Sequence, residues 1–139
     1  MSTSSKHKFG DDIRSTARER VLHFLYEAES RNINVAEVIQ AQVLKVDDTV
    51  SQMANAVEAL RSTTDEMITE FSHTWTIGRM PAIDRNVLRL AIYELIERPE
   101  VPIAVIINEA VELAKRFSTD ESGKYVNGIL SAIAKKVRV

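Results

Sequence analysis

Ile83-Asp84-Arg85-Asn86-Val87-Leu88-Arg89-Leu90-Ala91-Ile92-Tyr93-Glu94-Leu95 is the stretch that decides the fold. Ile83, Val87, Leu90, Ala91 and Leu95 recur at steps of three and four, which places them on one helical face. Leu88 and Ile92 add apolar groups on the adjoining faces. A helix that is apolar on most sides has to be enclosed by others, so this one is expected at the centre of the molecule. Pro81 suits its first turn, where the missing N–H costs nothing. Pro99 stops it, because the residue before a proline is driven out of helical geometry.

Outward from this helix, the same periodicity recurs. Downstream, Ile103, Ile106, Ile107, Ala110, Val111, Ala114 and Phe117 form one stripe after Pro102. Ser118 or Thr119 ends that helix and caps the last one, lined by Tyr125, Val126, Ile129, Leu130, Ile133 and Val137. Upstream, Trp75 to Met80 is a connector containing Gly78. Before it, Val50, Met53, Val57, Leu60, Thr64, Met67 and Phe71 alternate steps of three and four from an Asp47 or Asp48 start. A seam so regular favours one long helix to about Ser72, although Thr63 with Glu66 offers a capping box for a new start. Asn34 caps a short helix with Val35, Val38, Ile39 and, if it runs that far, Val43 inward. Ile13, Ala17, Val21, Phe24, Leu25 and Ala28 define the first helix, with Asp11 or Asp12 as its cap. Residues 1–10 lack apolar periodicity and are expected as a flexible tail. The fold class is therefore all-α: a compact bundle of about six to seven helices in one domain over 11–139. Its two packed halves, roughly 11–73 and 75–139, meet near Trp75, which is expected in the core or between them.

Composition narrows the chemistry. The chain has 139 residues, 45% of them hydrophobic, enough for one core, and its 4 Gly and 3 Pro are too few for a turn-dense β fold. With no cysteine, disulfides, thiolate metal sites and a cysteine nucleophile are excluded. No apolar run approaches the roughly 18 residues of a membrane span, and the polar start Met1–Asp12 has no signal-peptide core. His7, His23 and His73 are scattered, and phosphate-binding glycine loops and the GxSxG elbow are absent. No catalytic residue, metal or cofactor is expected. Net charge is -2, unlike an overtly basic nucleic-acid binder, but the charges are unevenly spread. Lys6, Lys8, Arg14, Arg18 and Arg20 crowd the start, and Lys124, Lys135, Lys136 and Arg138 the end, around an acidic interior from Glu27 to Glu70. That asymmetry suits one face for a polyanion and another for a different partner.

Three motifs in order carry a family resemblance: Asp84 to Leu95; Val101-Pro102-Ile103 with Ile107-Asn108-Glu109-Ala110-Val111-Glu112-Leu113-Ala114-Lys115; and Asp120-Glu121-Ser122-Gly123-Lys124-Tyr125-Val126-Asn127-Gly128-Ile129-Leu130. With Arg18-Glu19 and Leu25-Tyr26 on the first helix, the chain resembles the NusB transcription antitermination family over nearly its whole length. A similar module forms the N-terminal part of some rRNA cytosine methyltransferases, and this chain ends before such a domain would begin. The resemblance implies an all-α, cytoplasmic protein that is not an enzyme. It implies pairing with NusE, a small-subunit ribosomal protein, on single-stranded boxA RNA of ribosomal RNA transcripts. Other Nus factors and RNA polymerase are implied indirectly, and no membrane. The alternative is a helical adaptor or homodimerisation module that never touches RNA.

Arg14, Arg18, Leu22 and Tyr26 fall on one four-residue row of the first helix. Cations there suit phosphates and the ring suits a stacked base, or else the arginines are merely solvated. By motif, the resemblance adds Asp84, Arg89, Glu121, Lys124 and Tyr125. Arg89 either reaches phosphate or pairs with an internal acid; Tyr125 is either a second stacking ring or a half-buried anchor. Many family members carry a denser arginine run where this chain has Ser15-Thr16, with Lys6 and Lys8 as the available compensation. Tight RNA binding is thus expected to depend on the partner protein. Asn127-Gly128 is expected to be structural, trading helix propensity for close helix approach.

Overall fold

In a computed structural model, the backbone is described over residues 2–138 and the side chains over 14–138. Within that range the chain is seven α-helices without a strand: α1 Ser2–Arg31, α2 Val35–Gln40, α3 Asp48–Ala59, α4 Arg61–Phe71, α5 Ala82–Glu97, α6 Ile103–Phe117 and α7 Asp120–Val137. A 3-10 turn, Ile77–Arg79, precedes α5.

Helix starts follow local chemistry. Asn34 accepts from the Glu37 N–H at 3.0 Å, Asp47 from the Thr49 N–H at 2.8 Å, and the Thr119 hydroxyl from the Ser122 N–H at 3.0 Å. Pro81 and Pro102 stand immediately before α5 and α6. α1 runs back through residues 2–10, expected as a tail, and passes Asp11 and Asp12 without a break, so neither caps it.

α5 is central. Residues 84 to 95 are buried, apart from the half-buried Arg85, and α5 packs on α1, α3, α4, α6 and α7. α1 gathers α2 and α3, while α6 and α7 pair with each other. One continuous apolar cluster, from Val21 on α1 to Ala134 on α7, joins the two groups through α5.

The single long helix expected over 48–72 is two. Leu60 ends α3, its N–H shared between the Ala56 and Val57 carbonyls at 3.1 and 3.2 Å, and α4 starts at Arg61. The reason is tertiary. α3 turns Val50, Met53 and Val57 toward α1 and α2, whereas α4 turns Thr64 and Ile68 toward α5 and α7. A straight rod would keep one face and serve only one of these layers. The buried position accordingly moves from Met67 to Ile68. Val43 lies beyond α2 and is fully exposed, not inward.

Candidate nucleic-acid interface

α1 and α5 run antiparallel, tied at both ends by buried charge. Near one end, Arg18 Nε and Nη2 donate to the two Glu94 oxygens, each at 2.9 Å, with both side chains nearly fully buried. Near the other, Arg89 forks onto Asp65 at 2.7 and 3.0 Å and also donates to Glu29. Arg85 joins Glu29 and donates to the Ile77 and Met80 carbonyls at 3.0 and 2.7 Å, pinning the connector against α5. Burial opposes ionisation of Glu29, but bonds from Arg85 and Arg89 outweigh it and hold the carboxyl below its ordinary range. Burial likewise works against the Arg89 charge, and Asp65 and Glu29 outweigh it and raise its pKa.

α6 runs beside α1 in the same direction. Ser15 donates to Glu109 at 2.7 Å, Arg116 to Glu19 at 3.2 Å, and the His23 and Phe117 rings meet edge to face at 4.8 Å. α7 therefore begins at the end where α1 carries Tyr26. The Ser72 hydroxyl donates to the Trp75 carbonyl at 2.5 Å and hydrogen-bonds the Tyr125 hydroxyl, and the Trp75 and Tyr125 rings pack edge to face at 4.8 Å. Tyr26, Trp75, Tyr125, Lys124 and the first turn of α5 thus share one end of the bundle.

The expected site residues separate into three groups. Tyr26 (42% exposed), Arg14, Glu121 and Lys124 stand at the surface, with Lys124 3.4 Å from Glu121. Tyr125 is half-buried, the anchored alternative, with part of its surface open. Arg18, Asp84 and Arg89 are buried, which corrects their expected place among residues open to RNA. The geometry of the row explains Arg18. Each four-residue step advances about 40° around a helix. Arg14 and Tyr26 therefore emerge on different flanks, roughly 18 Å apart along the axis. Between them, Arg18 and Leu22 face inward with Val21 and Leu25. Arg89 takes its internal alternative. Asp84 lies in the first turn of α5, where the helix dipole favours a carboxylate; its oxygens have no hydrogen-bond partner among the described residues. The side chains of Lys6 and Lys8 lie outside the described residues.

Other groups at this end escape sequence reasoning. The Arg116 guanidinium sits over the Phe117 ring at 4.9 Å, beside His23. Neighbouring helices create the cluster, so no spacing within one helix signals it. The glycine expectation is reversed: Asn127 and Gly128 are exposed with nothing near the Gly128 Cβ position, while a Cβ on Gly123 would stand 2.6 Å from Lys115 Cγ. Among the described residues no helix is long and apolar enough to cross a membrane, and no group of three or more His, Cys, Asp or Glu could hold a metal.

Fold and surface together define the class: an all-helical bundle with rings and cations gathered at one end. Its relatives are specific. Residues 15–135 match the family model described as "NusB family", so the chain belongs to the NusB family. It is 41% identical to the transcription antitermination protein NusB of Thermobifida fusca over 127 residues, covering 88% of this chain and 89% of that one. It superimposes on T. maritima NusB with a TM-score of 0.79 at 36% identity, covering 88% and 91% of the two chains. It also superimposes on a chain in a structure of the antitermination factors NusB and NusE in complex with dsRNA, with a TM-score of 0.75 at 28% identity and 88% and 96% coverage.

Proposed function

We propose that this chain is an RNA-binding transcription antitermination factor that pairs with NusE on boxA RNA of ribosomal RNA transcripts. It acts in the bacterial cytoplasm, catalyses no reaction, and meets other Nus factors and RNA polymerase through that complex. The observation that carries this reading is the match to NusB proteins over nearly the whole chain. The surface chemistry supports it. Tyr26 and Tyr125 offer faces to splayed bases, and Lys124 and Arg14 offer charge to phosphate, with Glu121 beside them. Lys6 and Lys8 extend the cationic contribution. Arg18 and Arg89 hold α1 and α4 against α5 and so position the ring-bearing end.

Arg18 on α1 and Arg89 on α5 are internal, which takes two of the expected cations from the surface, and tight binding rests on NusE. The same burial favours one second reading, a helical adaptor that docks a protein without RNA. Titration of boxA-like single-stranded RNA, with and without NusE at two salt concentrations, separates the two. Binding that strengthens with NusE and weakens with salt is expected. Tyr26→Ala should cost about 1–3 kcal/mol of RNA affinity. RNA that adds nothing in either case would leave the adaptor.

A further inference from the structure

α6 and α7 leave an open groove of about 610 Å³ between them, lined by Asn108, Val111, Lys115, Asp120, Lys124 and Asn127, with Gly123 in its floor. We infer that this groove takes the phosphodiester backbone of the RNA strand as it leaves the ring-bearing end, with Lys115 and Lys124 on phosphates and the Asn108 and Asn127 amides on base edges or 2′-hydroxyls. The inference rests on the RNA-binding reading and extends it from Lys124 to Asn108, Lys115 and Asn127, which have no role in that reading.

Four observations point the same way. First, Gly123 is needed locally: a Cβ there would stand 2.6 Å from Lys115 Cγ, so the missing side chain lets the lysine stem lie on α7. The Lys115 stem is thereby seated beside the groove that it lines, with less rotamer freedom left to lose on binding. Second, both lysines are lightly engaged, with Lys115 4.0 Å from Glu112 and Lys124 3.4 Å from Glu121, the Lys115 side chain about half exposed and the other three more so. Such pairs contribute little and give way to a phosphate. Third, Asn108 and Asn127 are exposed and their side-chain amides hydrogen-bond to no protein group among the described residues, although Asn127 belongs to a motif expected to be structural. Fourth, Gly128, one residue beyond Asn127 and outside the lining itself, has no neighbour within 4 Å of its Cβ position, so the surface of α7 beside the groove stands open.

The groove's chemistry chooses between a nucleic acid and a protein partner. Protein interfaces have an apolar, aromatic-rich centre depleted in lysine, whereas nucleic-acid interfaces are polar and cationic. Val111 is the one apolar side chain in this lining, against two ammonium groups, two amides and the Asp120 carboxylate. Continuity decides the register, because Lys124 belongs to both the groove and the ring-bearing end.

The test uses the full chain with NusE and a labelled boxA-like single-stranded RNA, read by fluorescence anisotropy over a salt series. Lys115→Gln should weaken binding several-fold and reduce the log–log salt slope by about 0.7, the loss of one single-strand phosphate contact. Lys115→Arg should restore both. Asn127→Ala should weaken binding with the slope unchanged. Wild-type affinity and slope for both Lys115→Gln and Asn127→Ala, beside a wild type that binds RNA, would overturn the groove alone. Weaker NusE binding by Lys115→Gln without RNA would make the groove a protein interface and also overturn it. A wild type that ignores RNA even with NusE would remove the proposed function first, and this inference with it.

Discussion

Arg18 and Glu94 bury opposite charges against each other, and the buried Arg89 meets the half-buried Asp65 and Glu29 in a larger group. Taking an ion from water costs several kcal/mol, recovered only when a partner meets it with good geometry. The two-pronged Arg18–Glu94 contact meets that condition. Arg18→Ala strands the Glu94 carboxylate, and urea unfolding should register a loss of about 3–5 kcal/mol. Arg14→Ala, on an exposed neighbour of the same row, should change stability by less than about 0.5 kcal/mol. Equal, small effects from both would show that the Arg18 pair does not form. Residue type alone does not separate them, since both are arginines near the start of one helix. What differs is the angle at which each meets α5.

α7 contrasts two glycines five residues apart. Around Gly123 a neighbour's side chain occupies the space a Cβ would take; around Gly128 there is nothing. Gly128→Ala should therefore raise stability by about 1 kcal/mol, the full propensity gain. Gly123→Ala should gain less, because Lys115 must leave its seat. A thermal melt of the two variants checks this, and equal gains would show that the Lys115 contact carries no weight. The end of α7 is set by Arg138, whose guanidinium donates to the carbonyls of Glu94, Leu95, Arg98 and Val101 at 2.6–3.2 Å. It thereby reaches the Leu95 carbonyl, which Pro99 cannot bond, and ties the end of α5 and the turn after it to α7. In the sequence Arg138 looks like one more basic residue in a cationic tail.

Across the whole molecule, α5 is shared by both halves, so neither has a core of its own. Unfolding should be one cooperative event. Fluorescence of Trp75, the chain's single tryptophan, sits at the junction and should give the same urea midpoint as far-UV circular dichroism; separate midpoints would mean independent halves. Helix identity, most helix starts and the central place of 83–95 were legible from the amino-acid order. Apolar periodicity, proline positions and short polar caps act within a few residues, and the chain states them directly. The motifs named the family for a like reason, as short runs of side chains in order. Tertiary structure alone decided that the seam breaks at Leu60, that Arg18 and Arg89 are internal, and that Gly123 is the close-packed glycine. Each of these depends on which neighbour a helical face meets, and the rotation and crossing of helices set that over separations of tens of residues. Charge shows this most sharply: its energy depends on burial and on a partner's distance, as for Arg89 and Asp65, 24 positions apart along the chain and 2.7 Å apart in space.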